Sequence, residues 1–189
     1  MATLNVIQTG IAGTTIELQP RFGERDGAVL HMLPGGVGNP EGFGQNLLDV
    51  YASTAKGQGV QRGGHYHLKL DELFFTLAGT ALWILSDFRP ESPTYQTTVG
   101  IILGDEKPAT DIDLPVYVTA NGSLARLRIP AGVYHTYLPL TAERVTVVGL
   151  GSTPYDKADY VYPEFYSIPK ASELLKTAGV ELTNESASK

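Results

Sequence analysis

Residues 59–79 read GVQRGGHYHLKLDELFFTLAG, and two of the chain's four histidines stand one residue apart within them. Side chains alternate across an extended strand, so His65 and His67 share a face while Tyr66 points the other way. The acidic pair Asp71 and Glu72 follows, and an apolar run then ends at Gly79. In that run Glu72, Phe74, Thr76 and Ala78 share a face, and a hairpin around Lys69 to Asp71 would bring Glu72 beside the histidines. Two imidazoles and a carboxylate on one side make a facial donor set for a divalent first-row metal. A lone H-x-H has a plainer reading too, as part of a polar outer face.

A fourth ligand must come from elsewhere, and only His31 and His135 remain to supply a nitrogen. His135 lies in RIPAGVYHTYLPL (128–140), where Pro130 and Gly132 form a tight turn feeding it into a strand, with Tyr137 on its face. His31, in GAVLHML (27–33), has no turn motif or acidic neighbour and reads as an ordinary edge or core histidine.

The rest of the chain sets the frame for this cluster. With 189 residues and 42% hydrophobic content it is long enough for one domain with a substantial core. Fourteen basic residues stand against twenty acidic ones, a net charge of -6, and no basic run offers a nucleic-acid footprint. No apolar run approaches the ~20 residues that cross a bilayer. The start, MATLNVIQTGIAG, carries neither a basic leader nor a signal-length apolar core, so cytoplasmic residence is expected. There is no cysteine, which excludes disulfides and leaves only nitrogen and oxygen to hold a metal.

Twenty-one glycines and twelve prolines punctuate segments rich in Val, Ile, Thr, Tyr and Leu. That pattern predicts many short strands joined by turns, hence an all-β sandwich or barrel. Strands are expected at 14–20, 27–33, 46–54, 63–70, 72–87, 95–103, 114–120, 123–130, 134–140 and 144–151, with loops at 34–44 and 104–113. One helix is expected near 169–178, with Pro169 near its start and Gly179 just beyond its end. The last residues, TNESASK, read as loose.

The spacing Gly59, five residues, His65-x-His67, four residues, Glu72, six residues, Gly79 resembles the first motif of the cupins at every fixed position. PAGVYH (130–135) resembles the core of the second, although Gly122 stands too early for its leading glycine and Pro139 replaces the usual closing asparagine. The resemblance covers about residues 44–150. It implies a single cupin jelly-roll barrel (double-stranded β-helix), with an N-terminal strand arm over 1–43 and a C-terminal extension over 151–189. It also implies a metal site of His65, His67, Glu72 and His135, holding one divalent ion (zinc, iron, manganese or nickel). Phe74, Trp83 and Leu85 would keep that site dry. Homodimers built through sheet edges or exchanged N-terminal strands are usual for the family.

FGQNLLDVYAST (43–54) and GVQRGGHYHLK (59–69) narrow the likeness to the nucleotide-sugar cupins related to dTDP-4-dehydrorhamnose 3,5-epimerase. There an arginine, a glycine and a histidine line the substrate cavity, and Arg62, Gly63 and His65 match them. Arginine suits a diphosphate because its planar fork pairs bidentately with phosphate oxygens. The implied chemistry is proton shuttling beside a ketone, with the histidine matching His65 as a metal-free base. A metal-bound histidine cannot be that base, so the two roles compete; a bound metal would act on the ketone instead. The family's tyrosine acid should lie in the strand after the second motif, but ERVTVVGLG (143–151) has none. Tyr134 and Tyr137 are the nearest substitutes, and Tyr137 shares a face with His135.

The expectation is therefore a metal-binding epimerase or isomerase. His65 and Tyr137 would be catalytic, and Arg62, Trp83 and Tyr134 would bind a small substrate such as a nucleotide sugar. A metal-dependent dioxygenase or lyase on a small organic substrate is the alternative, or a cupin that only binds carbohydrate.

Overall fold

The computed structural model describes residues 5–24, 27–30, 32 and 47–183. Two sheets face each other. The first runs β1 (Asn5–Gln8), β2 (Thr15–Glu24), β10 (Ser123–Ile129), β6 (Glu72–Ala78), β12 (Arg144–Gly151) and β4 (Asp49–Lys56), with β3 (Gly27–Leu30) also paired to β2. The second runs β13 (Tyr160–Val161), β5 (Arg62–His67), β11 (Val133–Pro139), β7 (Thr80–Asp87), β8 (Thr98–Gly104) and β9 (Val116–Val118). Neighbours are antiparallel except β8 and β9. This is the expected all-β jelly roll.

Burial explains why these segments are strands. β7, TALWILSD, is buried along its whole length. Trp83 and Leu85 point between the sheets, while Leu82 and Ile84 lie under the C-terminal helix. A strand covered on both faces reads as a continuous apolar run rather than an alternating one. Leu73, Phe75, Leu124 and Leu150 form a third cluster on the outer face of the first sheet. Each such side chain contributes about 1.5–3 kcal/mol by leaving water.

Helix α1 (Ala171–Ala178) starts two residues later than the expected 169 and ends where expected. Gly179, at φ 65°, returns its N–H to the carbonyls of Leu175 and Lys176. Ala171, Leu175 and Ala178 pack on the outer face of the second sheet together with Phe165 and Ile168. The helix therefore seals that sheet's outer face.

Three expectations are corrected or completed. β5 and β6 do not form a hairpin: they belong to opposite sheets, and residues 68–71 cross between them. The N-terminal strands β1 to β3 pair within the chain's own first sheet, extending it through β2 and β10. Residues 105–115 form no helix or strand, and Ile112 and Leu114 pack into the cluster beneath α1. β1, β13 and three short 3-10 turns, at Thr119–Asn121, Lys157–Asp159 and Phe165–Ser167, were not foreseen. His31, the 34–44 loop and the tail from 184 lie outside the described residues. Among the described residues no helix is long and apolar enough to cross a membrane.

Candidate active site

The histidines meet because β5 carries an irregularity beside β11. His65 pairs with His135, whereas Gly63 pairs with Thr136, a register shift of the bulge kind. Gly63 lies at φ 76°, and a side chain there would stand 2.8 Å from the His135 carbonyl oxygen. Only glycine combines that conformation with that approach. The bulge sets His65 over His135, with ring centroids 4.7 Å apart, and alternation brings His67 to the same side, 4.9 Å from His65. One nitrogen from each of His65, His67 and His135 lies within 4.8 Å of the others.

Glu72 completes the cluster from the opposite sheet. Its Oε2 is 3.1 Å from His135 Nε2 and 3.4 Å from His67 Nε2. Oε1 accepts a hydrogen bond from the Tyr51 phenol at 2.5 Å. The far side of each inner imidazole is occupied as well. His67 Nδ1 faces Asp159 Oδ2 at 3.2 Å, and His135 Nδ1 faces the Val133 carbonyl at 3.2 Å. Asp159 Oδ2 is itself held by the Leu70 N–H. His67, Glu72 and His135 are at most 3% exposed.

Burial controls the charges here. His65 is lowered to about 3, first by burial and then by the neighbouring His135 and His67. His135 is likewise lowered by burial, against the pull of Glu72. For Glu72 burial acts upward, but the surrounding imidazoles and the Tyr51 hydroxyl outweigh it and leave the carboxyl at about 2. Burial thus disfavours charge on the carboxyl and on both imidazoles, while the attraction between Glu72 and His135 acts the other way on each. Tyr51 is pushed far above its ordinary value by burial and by Glu72, so its phenol keeps its proton.

His65 opens onto a cavity of about 60 Å³, walled by Tyr51, Ser53, Phe74, Trp83 and Tyr137. Phe74 and Trp83 pack at 5.0 Å, and the Trp83 Nε1–H is taken by Thr76, so they present apolar surface. Tyr137 shares a 2.8 Å hydrogen bond with Ser53. Burial raises its phenol, with Ser53 and Arg62 acting against that. Arg62 pairs with Tyr137 across the β5–β11 ladder and donates to the carbonyls of Thr54 and Gln61. Tyr160 and Tyr162 approach His65 at 4.8 and 5.4 Å.

Of the expected residues, His65, His67, Glu72, His135, Trp83 and Tyr137 come together. Tyr134 does not. It stands next to His135 on a strand, so it points through the opposite face, where it is buried against Phe88 and hydrogen-bonded by Gln61. The substrate-binding expectation for Tyr134 is corrected on that ground. Asp159, Tyr51 and Ser53 were missed. Tyr51 and Ser53 carried one usable signal, two polar residues at a spacing of two in a predicted strand; Asp159 lies 92 residues from its partner His67 and carried none.

No family model matches the chain. The spore coat polysaccharide biosynthesis protein SpsL of Bacillus subtilis (strain 168) is 30% identical over 115 residues, which cover 59% of this chain and 66% of SpsL, just under two thirds of its length. A dTDP sugar isomerase from Desulfovibrio desulfuricans G20 superposes with TM-score 0.71 at 20% identity, over 96% of this chain and 99% of that one. A dTDP-4-dehydrorhamnose 3,5-epimerase from Elizabethkingia anophelis NUHP1 gives TM-score 0.65 at 16% identity, over 97% and 93%. An RmlC from Legionella pneumophila Philadelphia 1, solved with dTDP-4-keto-L-rhamnose, gives 0.67 at 19%, over 98% and 90%. These likenesses establish the fold as the jelly roll those proteins share.

Proposed function

We propose that the protein is a sugar-nucleotide epimerase or isomerase that moves a proton on carbon next to a ketone. The observation that carries this reading is His65, an imidazole held neutral at the edge of a small, largely apolar cavity that is also lined by the hydroxyl-bearing Tyr51, Ser53 and Tyr137. A cavity of about 60 Å³ takes the reacting end of a ligand and leaves the remainder outside it, and Arg62 is the cation paired with the cavity residue Tyr137 across the β5–β11 ladder. His65 removes the proton alpha to the ketone, because a neutral base needs no prior deprotonation at working pH. Tyr137, paired with Ser53, stabilises the enolate oxygen and returns a proton to the other face or to the neighbouring carbon. Arg62 holds the diphosphate. The fold shared with dTDP-sugar isomerases and epimerases supports the substrate class.

The donor set also fits a divalent ion, one of zinc, iron, manganese or nickel. His65 Nδ1, His67 Nε2 and Glu72 Oε2 are buried without hydrogen-bond partners, and His135 Nε2 points at the same carboxylate oxygen. Buried polar atoms so placed are costly unless something pairs them. His65, His67, Glu72 and His135 would hold the ion, which when bound supplies Lewis acidity to a ketone oxygen. A second reading, a metal-dependent dioxygenase or lyase, is favoured by the clustering of three imidazoles. We further propose a homodimer, supported by edge strand β4, where Val50 is 61% exposed.

The test is incubation with a dTDP-4-keto-6-deoxyhexose in deuterated water, followed by mass spectrometry. Deuterium entering beside the ketone is expected. No incorporation sinks the isomerase reading, and oxygen uptake abolished by a chelator would select the second one.

A further inference from the structure

β5, which carries Arg62, His65 and His67, is gripped at both ends by residues that follow β12. At its far end β13 pairs Tyr160 with His67 and Val161 with Tyr66. Just ahead of its start, the chain beyond α1 returns to Gly59. The Thr183 N–H donates to the Gly59 carbonyl at 3.2 Å, and the Gly59 N–H donates to the Pro139 carbonyl of β11, also at 3.2 Å. Gly59 is thus fastened to β11 by its nitrogen and to residue 183 by its oxygen. The approach is close enough to dictate the residue: Gly59 lies at φ 76°, and a Cβ there would collide with the Glu181 carbonyl oxygen. Val180 is 3% exposed, and both it and Leu182 pack into the cluster beneath α1, so the returning segment is itself anchored.

The turn held in this way is the one that sets Arg62. The Val60 N–H closes it by donating to the Gly57 carbonyl at 3.3 Å. Arg62 spans the same turn, its Nε–H donating to the Thr54 carbonyl of β4 and its Nη1 to the Gln61 carbonyl. Between the two grips on β5 lie Gly63 and Gly64, both at positive φ, where the strand slips register against β11. Glycines restrict their own backbone little, so the shape of that bulge depends on how its flanks are held. We propose that Glu181, Leu182 and Thr183 form a strap of positioning residues: closing on Gly59, they fix the start of β5 and with it the guanidinium of Arg62. The functional consequence rests on the reading of Arg62 as the diphosphate ligand, which the test examines separately.

The experiment uses the full-length chain. Thr183→Pro deletes the donated N–H, and Gly59→Ala drives a methyl group into Glu181. Thr183→Ala keeps the N–H and is the control, since the Thr183 hydroxyl has no partner to lose. Nitrogen-15 relaxation gives the order parameter of the Arg62 Nε–H bond without any ligand. It should fall by about a third or more in Thr183→Pro and Gly59→Ala and hold its value in the control. Calorimetry with dTDP gives the second readout, the dissociation constant rising about five- to twentyfold in the same two variants as the guanidinium's hydrogen bonds loosen. If Gly59→Ala does not fold, Leu182→Ala, which removes the anchor and leaves Gly59 untouched, takes its place. An unchanged order parameter in Thr183→Pro overturns the strap, and so does an equal fall in the control. Arg62 loosened with dTDP affinity unchanged upholds the strap and sinks the assignment of Arg62 to the diphosphate. An unaltered chain that binds no dTDP sinks the nucleotide-sugar reading alone, because the order parameter decides the strap without it.

Discussion

Tyr51 reaches Glu72 across an intervening strand. Tyr51 is on β4 and Glu72 on β6, and β12 runs between them; the phenol nevertheless donates to the carboxylate at 2.5 Å. The passage is open because residue 149, paired with Tyr51 in the β4–β12 ladder, is glycine. A Cβ there would lie 2.3 Å from Cζ of the Tyr51 ring.

Gly149→Ala should therefore destabilise the protein by about 1–3 kcal/mol through overpacking. In a Tyr51→Ala background that added cost should vanish, since the colliding ring is gone. Urea denaturation of the four proteins checks it; equal costs in both backgrounds would show that the ring is not what fills the space.

Tyr51→Phe keeps the ring and removes the donor. The buried Glu72 carboxylate then loses a hydrogen bond, which costs about 1–3 kcal/mol. The same denaturation assay at neutral pH reads the loss. An unchanged midpoint would mean that another donor replaces the phenol.

His65→Gln should lower the rate of alpha-proton exchange about 10²–10⁴-fold, the usual contribution of a positioned base. Thermal unfolding should move little, because glutamine keeps much of the side chain's volume and a hydrogen-bonding group near the Gly63 backbone. Retained exchange in this variant would assign the base elsewhere.

The two tyrosines of the second motif should separate. Tyr137→Phe slows the reaction by about 10²-fold or more, since its hydroxyl lines the cavity. Tyr134→Phe leaves turnover unchanged, because that ring is buried on the other face of β11. Steady-state kinetics on the same ketone substrate distinguishes them.

The pH dependence follows from His65. In the metal-free protein its imidazole titrates at about 3 rather than the ordinary 6.5. The base is then competent well below pH 6, and kcat/KM should show no acid limb near 6.5. Stability carries the matching sign. Between pH 6.5 and about 3 the unfolded chain binds a proton that the native state refuses, so stability falls as pH drops. Glu72, lowered from 4.5 to about 2, adds to the fall over that lower window. Thermal midpoints that stay flat from pH 7 to pH 4 would contradict this.

Much of this molecule was legible from local pattern alone. Period-2 alternation puts His65 and His67 on one face whatever the strand's neighbours are, and it equally separates Tyr134 from Tyr137. Glycine and proline punctuation marked most strands, and Gly179 marked the end of the helix. The motif spacing placed Glu72 and His135 near the pair. Alternation says which residues share a face but not what lies opposite that face. Glu72 was expected from a hairpin and instead arrives from the facing sheet, because four residues can cross between layers as readily as they can turn back. Tyr51, Gly149 and Asp159 became partners of the site only through strand order, and strand order is set by the burial of whole apolar faces rather than by neighbours in sequence. The donor types and their shared face thus belong to the sequence; which nitrogen each histidine presents was decided by the tertiary structure, because the acceptors that fix those protons come from other elements or from the bend of the strand itself.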